Sequence, residues 1–222
     1  MSFTDFGNLA ERKQHTLSIT HIATSTNVKF PAFITQFSDQ YSVSWGNEQI
    51  YGRNDPIKPY AATTRGIQVG FEILAPTAEK ARDNMVKLSK LAQMMYPVYS
   101  APLNGQGANF GRTIKAPPLM RIKFANLIQS TLGGGLLGCI EGFSFAPNKE
   151  AGFFTPGNEI HPKVVAIDFR FTPQHENTLG WDENGQFLAS SFPYNQRSFG
   201  PAQGETSQSR LSGPANDANL GN

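Results

Sequence analysis

The stretch Gly66-Ile-Gln-Val-Gly-Phe-Glu-Ile-Leu74 decides the fold of this 222-residue chain. Its apolar side chains, Ile67, Val69, Phe71 and Ile73, alternate with polar residues or glycine. A period of two is typical of a β-strand that buries one face and exposes the other. The stretch therefore predicts a strand of a sheet that has one face against a core.

A helix is predicted directly after this strand, over about residues 77–96. Thr77 is a suitable N-cap, and Glu79 in the first turn interacts favourably with the helix dipole. The helix ends near Tyr96, because a residue before proline is disfavoured in the α region. Apolar residues recur at helical spacing along one stripe: Ala78, Ala81, Met85, Leu88, Ala92 and Met95. We expect this single helix to pack across a sheet face.

Other stretches repeat the apolar and polar alternation and predict further strands. The clearest lie at residues 40–45, 120–124 and 164–172, and weaker ones at 17–22, 28–37 and 140–145. Pro31 predicts that the 28–37 stretch is an edge strand or is bent. Seventeen Phe and a charged fraction of only 16% favour a sheet-rich chain with many turns. The predicted fold class is α+β, mainly β, with one flanking helix and long loops.

Two parts of unequal kind are predicted. Residues 1–186 form a β-rich domain with an N-terminal arm and long loops at 46–62 and 101–118. From Phe187 onward, Ser, Asn, Gln, Gly and Pro dominate, and apolar residues lack a period. Ordering such a segment costs about 1–2 kcal/mol of backbone entropy per residue, which its few apolar side chains do not offset on their own domain. Residues 187–222 are therefore predicted to form an extended tail that neighbouring subunits order.

The sequence predicts no catalytic, cofactor-binding or metal site. Cys139 is the single cysteine, which excludes an intrachain disulfide and a Cys-based zinc site. No histidine stands in an H-E-x-x-H pattern, and His161 and His175, each near a glutamate, are more typical of loop residues than of ligands. The stretch 142–146 lacks the second glycine of a nucleophile elbow, and the glycine-rich stretches lack the Lys-Ser/Thr of a phosphate loop. We expect that the chain is not an enzyme.

Charge and hydropathy bound the partners. The net charge is +2, from 19 basic and 17 acidic residues, so no clustered basic surface indicates a specific nucleic-acid partner. No apolar run approaches the ~18 residues of a membrane span, and no hydrophobic export segment follows Met1. We expect that the protein is made in a cytoplasm and that it has no membrane partner.

The loop after the 40–45 strand carries the residues best suited to an interface. Trp, Tyr and Arg are the usual anchors of protein contacts, since they combine large area with hydrogen-bonding groups. An alternative is a loop tied down by its own aromatic side chains, with Arg53 bonded to Asp55 or to the backbone. Both readings stay open. The interface candidates, including three residues of the predicted tail, are Trp45, Tyr51, Arg53, Asp55, Tyr60, Arg65, Phe192, Tyr194 and Phe199.

Over roughly residues 17–180 the sequence resembles baseplate proteins of tailed bacteriophages, above all tail-tube initiators and tube cap or junction proteins. The order and spacing of several stretches carry the resemblance, and no single motif is diagnostic. These stretches are Phe30-Pro-Ala-Phe33, Ser42-Val-Ser-Trp45, Tyr51-Gly-Arg-Asn-Asp-Pro-Ile57, the strand 65–74, Met94-Met-Tyr-Pro97, Ala116-Pro-Pro-Leu-Met-Arg-Ile-Lys-Phe124, Gly135-Leu-Leu-Gly138 and 162–172 followed by His175.

The resemblance implies two packed antiparallel sheets, a tail-tube-like sandwich or barrel, beside the helix. It implies a virion structural protein, assembled in the host cytoplasm, that forms a ring of six copies and nucleates or caps the tail tube. Its partners would be further copies of itself, the tail tube protein, and baseplate hub and wedge proteins.

Two rival functions belong to other classes. The aromatic loop 45–60 is also suited to stacking on sugars, which is typical of a receptor- or glycan-binding module of the tail tip. A tail-associated cell-wall hydrolase is the enzymatic alternative, but the paired carboxylates Asp182 and Glu183 lie in a turn-like, solvated stretch.

Overall fold

A computed structural model describes residues 16–101, 112–131 and 134–194 of the chain. In these ranges the chain forms eleven β-strands and one α-helix, and the mainly β fold with one helix is thus confirmed. The elements are β1 Leu17–His21, β2 Asn27–Phe30, β3 Phe33–Trp45, β4 Tyr60–Leu74, α1 Ala78–Met94, β5 Val98–Tyr99, β6 Ile114–Ala116, β7 Met120–Phe124, β8 Leu136–Pro147, β9 Phe153–Phe154, β10 His161–Pro162 and β11 Val164–Pro173.

Seven strands form one antiparallel sheet in the order β2-β1-β7-β8-β11-β4-β3. The stretch that decides the fold is the second part of β4, which pairs with β11 on one side and with β3 on the other. The clearest strands predicted from alternation all lie within this sheet, in β3, β7 and β11. Two further pairs, β5 with β6 and β9 with β10, form small separate sheets.

The large sheet curls around its own core. A flat sheet of seven strands is about 29 Å wide at a strand spacing of about 4.8 Å. Its two edge strands, β2 and β3, are nevertheless joined by only Pro31 and Ala32, which span at most about 11 Å. Rings on distant strands therefore meet: the centroid of Phe30 on β2 lies 5.9 Å from that of Phe71 on β4. The predicted packed layers are two parts of one curled sheet, and no β2–β3 ladder closes it into a barrel among the described residues.

The core lies inside this curl and beneath α1. Thr77 is the N-cap, and its side chain accepts a hydrogen bond from the backbone N–H of Lys80 at 3.3 Å. The buried face of the helix consists of Ala81, Asn84, Leu88, Leu91 and Met94. The predicted stripe was right for Ala81 and Leu88, and its members Met85 and Met95 pack against the core as partly buried residues. The prediction missed Leu91 and Met94, which are buried.

Candidate interaction surface on the projecting hairpin

The strands β3 and β4 form a hairpin longer than the rest of the sheet. The ladder between β4 and β11 stops at the pair Ile67 and Phe171, whereas β3 and β4 stay paired as far as Trp45 and Tyr60. Residues 40–65 therefore extend beyond the end of the ladder with β11, and we call them the projecting hairpin. All the interface candidates predicted before the tail lie in it.

The two faces of the projecting hairpin differ in chemistry. Directly paired residues lie on the same face of a ladder, so the outer face carries small polar side chains such as Ser42 and Thr64. The opposite face continues the core face of β4 and carries apolar and aromatic groups. We call it the apolar face, and its members are Tyr41, Val43, Trp45 and Tyr60.

The described residues leave most of the apolar face exposed. The side chains of Trp45 and Tyr60 are 56% and 58% exposed, although their rings contact each other edge to face at 5.6 Å. The hydroxyl of Tyr60 donates a hydrogen bond to that of Thr63 at 2.9 Å. An exposed aromatic cluster that continues a core is typical of a surface that a partner covers.

The loop 46–59 is closed at its base and open at its tip. The backbone N–H of Gly46 donates to the carbonyl of Pro59 at 2.8 Å, and Glu48 and Ile57 form a bridge. At the tip, Tyr51 is fully exposed. Arg53 and Asp55 form no ion pair with each other in the part of the chain that the structure describes. The loop is thus tied by backbone bonds, and the aromatic contact of Trp45 with Tyr60 ties the strands.

A buried ion pair fixes the base of the projecting hairpin. The guanidinium of Arg65 donates to both carboxylate oxygens of Asp39, at 2.9 Å from Nε and 2.6 Å from Nη2. The two side chains are only 3% and 2% exposed. The hydroxyls of Tyr41 and Tyr194 donate to Oδ2 of the same carboxylate at 3.1 and 3.0 Å. Four hydrogen bonds thus satisfy one buried carboxylate, as a charge removed from water requires.

Aromatic rings enclose the Arg65 side of this pair. The guanidinium carbon lies 5.4 Å from the ring centroid of Tyr41 and 5.2 Å from that of Phe192, distances at which cation–π attraction acts. We call Asp39, Tyr41, Arg65, Phe192 and Tyr194 the anchor cluster. The cluster holds the last described segment of the chain against the root of the hairpin.

A chain of rings extends from the anchor cluster across residues 175–192. Phe192 contacts His175 edge to face at 5.5 Å and stacks on Phe187 at 5.9 Å, and Phe187 contacts Trp181 at 5.3 Å. Residues 187–194, which belong to the predicted tail, thus contact their own chain. Phe199 and the rest of that tail lie outside the described residues, and its ordering by neighbouring subunits stays a prediction.

Burial and charge shift the pKa values of groups at this site. Burial raises the pKa of the Tyr41 hydroxyl well above its usual 10, with the neighbouring Asp39 carboxylate acting in the same direction. Burial and the hydrogen bond to Asp39 raise the pKa of Tyr194. Burial, and then the Arg65 charge, lower the pKa of His175 below 6.5. The site therefore favours neutral phenols and a neutral imidazole around one ion pair.

Sequence reasoning did not identify Asp39, His175, Trp181 or Phe187 as members of this surface. One signal was present: Asp39 occupies the apolar phase of the alternation that Tyr41, Val43 and Trp45 continue. A carboxylate on a core-facing phase requires a buried partner. The identity of that partner depends on the register of β3 with β4, which the sequence does not supply.

The described ranges hold no cluster of metal-ligand side chains and no helix that could span a membrane. No group of three or more His, Cys, Asp or Glu side chains is placed to hold a metal ion there. Nε2 of His161 lies 2.9 Å from a carboxylate oxygen of Glu159, as a pair without further ligands. α1, the helix of the described ranges, is too short and too polar to cross a bilayer.

Comparison with known protein families finds no match for the chain, and no curated protein matches it. Among solved structures it is similar to the Dit protein of phage SPP1, whose crystal structure is presented as a paradigm of the hub adsorption apparatus in phages that infect Gram-positive bacteria. The TM-score is 0.38 at 10% sequence identity, and the match covers 71% of this chain. It covers 49% of that protein, so the chain spans about half of its length.

Proposed function

We propose that this chain is a structural subunit of a phage tail, and that it acts by assembling with copies of itself into a ring at the baseplate. The observation that carries the proposal is the apolar face of the projecting hairpin, which the described residues leave exposed. The resemblance of the sequence to tail-tube initiators and tube cap or junction proteins supports the location. In this role the ring nucleates or caps the tail tube.

The anchor cluster supports a mechanical part of the same role. A ring subunit that templates the next layer must hold its contact surface at a fixed angle. The buried pair of Arg65 and Asp39 restrains the root of the hairpin, because moving it would expose or unpair two charges. The apolar face is thus presented by a rigid base.

The proposed partners are further copies of the chain, six to a ring, together with the tail tube protein and the baseplate hub and wedge proteins. The protein would reside in the virion after assembly in the host cytoplasm. We propose no catalytic activity and no cofactor. A zymogram with embedded cell wall, performed on the purified chain, checks the enzymatic alternative, and a cleared band would overturn this part of the proposal.

Electron microscopy of the assembled particle tests the location and the copy number. Six copies at the junction of tube and baseplate are expected, and deletion of the coding sequence should leave baseplates without tubes. Full-length tubes in the deletion mutant would rule out a nucleating role.

A glycan-binding module is the second candidate, since the exposed rings of Trp45, Tyr51 and Tyr60 offer stacking surfaces. Binding of the isolated protein to a glycan array, lost in Trp45→Ala, would favour this function. Absence of binding together with assembly would favour the ring.

A further inference from the structure

A groove lies between the end of α1 and the middle of β8. Its volume is about 380 Å³. The described residues of its lining are uncharged and include Met95, Tyr96, Pro118, Ile140, Gly142 and Phe143. We call it the helix-end groove. Its size and apolar character suit one or two large side chains.

One side of the helix-end groove is an open strand edge. β7 pairs with β8 only opposite Leu136–Gly138, so β8 has no ladder on that side from Cys139 onward in the described ranges. The reason is local: the chain before β7 is Pro117-Pro118, and proline has no N–H to donate to a ladder. Backbone groups of β8 beside the groove are therefore available to another strand.

The projecting hairpin carries a second open edge. β3 is the last strand of the sheet among the described residues, and its residues 40–45 contain neither a charged residue nor a proline. Edge strands are normally protected by such residues, because an unprotected edge pairs with other chains. The hairpin thus combines an open edge with an exposed apolar face.

We infer that the projecting hairpin of one copy docks on the helix-end groove of the next copy, so that β3 pairs with the open edge of β8. This inference rests on the proposed self-assembly and names the two surfaces that meet. Ile140 and Phe143 lie on the core face of β8, opposite Phe171 and Phe169. When β3 of the next copy extends the sheet beside β8, its core face continues that of β8. Val43 and Trp45 of that copy then lie over the helix-end groove.

A projecting hairpin that occupies this groove must come from a second copy. Ile140 of β8 and Ile67 of β4 are both opposite Phe171 in the sheet. The projecting hairpin extends from Ile67 toward lower residue numbers of β4. Phe143 lies in the opposite direction, because it is level with Val69 through their shared partner Phe169. Bending the hairpin back onto its own groove would break the buried pair of Arg65 and Asp39. Contacts between two different surfaces of one chain form rings when the rotation closes.

Disulfide trapping in the full chain tests this docking. Cys139 is the single native cysteine and lies on the outer face of β8, and Gln40, Ser42 and Ser44 lie on the outer face of β3. Opposed residues of adjacent strands meet the distance of about 4.4–6.8 Å between Cα atoms that a disulfide requires. Gln40→Cys, Ser42→Cys and Ser44→Cys are oxidised separately and analysed on non-reducing gels. We expect at least one to give a ladder of trimers and larger species.

The matched control for each variant adds Cys139→Ser, which should limit the products to dimers.

A second pair of variants probes the groove. Tyr96→Lys puts a charge on its rim at the helix C-terminus, where a cation suits the dipole, and should weaken self-association at least tenfold. Val86→Lys, on an exposed part of α1 outside the groove, should leave it unchanged.

The outcomes separate this inference from the proposed function. Multimers in sedimentation without any ladder, and with Tyr96→Lys unaffected, would overturn the docking and leave the ring in place. A wild-type chain that stays monomeric at every concentration would overturn both.

Discussion

The hydroxyl of Tyr194 donates a hydrogen bond to Oδ2 of Asp39 at 3.0 Å, across 155 positions of sequence. Asp39 lies at the root of the projecting hairpin, and Tyr194 is the last residue that the structure describes. The contact therefore joins the surface proposed for assembly to the point from which residues 195–222 continue. Because the carboxylate is also paired with Arg65, the stability of this junction depends on a buried charge.

Removing one member of the buried pair should be strongly destabilising. Arg65→Met leaves the Asp39 carboxylate buried without its cation, and we expect the free energy of unfolding to fall by about 3–5 kcal/mol. Urea denaturation monitored by circular dichroism measures the change. The double variant Asp39→Leu/Arg65→Met removes both charges and should recover much of the loss. Equal losses in the single and the double variant would contradict a role for the unpaired charge.

An exposed pair elsewhere provides the contrast. Arg121 and Glu176 form a bidentate contact with a shortest distance of 2.6 Å, but their side chains are 36% and 45% exposed. Water and salt screen such a pair, so Glu176→Gln should cost less than about 1 kcal/mol. High salt should reduce even this loss of unfolding free energy, and the same urea titration repeated at high salt measures the reduction. A loss as large as that of Arg65→Met would show that solvent exposure does not determine how much an ion pair contributes to stability.

Tyr194→Phe tests the link between the last described segment and the hairpin. The variant keeps the ring and removes one hydrogen bond to a buried carboxylate, so we expect a loss of about 1 kcal/mol or somewhat more. Tyr51→Phe is the matched control, since Tyr51 is fully exposed and should change nothing. Differential scanning calorimetry of both variants measures the two effects. Identical melting temperatures for Tyr194→Phe and wild type would argue against the contact.

The environment of His175 makes stability depend on pH. Its pKa is lower in the folded chain than the usual 6.5, because burial and the Arg65 charge disfavour the imidazolium. In the pH window between the two values, the unfolded chain binds more protons than the folded one. The contribution of His175 to the free energy of unfolding should therefore be fully present above about pH 6.5 and should fall as the pH drops through this window.

His175→Gln removes this titration. The variant should show a smaller loss of the denaturation midpoint between pH 7 and pH 5 than wild type does. Glu176, whose pKa is lowered chiefly by its hydrogen bond from Arg121, titrates in a lower window, below 4.5. Parallel pH profiles for wild type and His175→Gln would exclude His175 as the source.

Local sequence patterns predict most of the fold, whereas most of the candidate site depends on contacts between residues that are distant in sequence. The alternation in β4 and the capped apolar stripe of α1 depend on neighbours within a few residues, so both were predictable from sequence. The curl of the sheet depends on the short Pro31-Ala32 connection between its two edges, which became informative only once the strand order was known.

The candidate surface shows the same division. Trp45 and Tyr60 were predicted from residue type in a loop-rich stretch, because exposed aromatic residues are recognisable without a partner. The predicted candidates Arg65 and Tyr194 meet at Asp39, and Phe192 packs on Arg65, but sequence alone gave no reason to join them. Their contact requires the register of β3 with β4 and the return of the chain after β11. Non-local pairs of this kind have no periodic signature.

Analytical ultracentrifugation of the full chain tests most directly whether the hairpin surface drives self-assembly. Wild type should sediment as a multimer whose population rises with concentration, and Trp45→Ser/Tyr60→Ser should sediment as a monomer that keeps the far-UV circular dichroism spectrum of wild type. A wild-type chain that is monomeric across the whole concentration range, or a double variant that assembles as wild type does, would contradict the account.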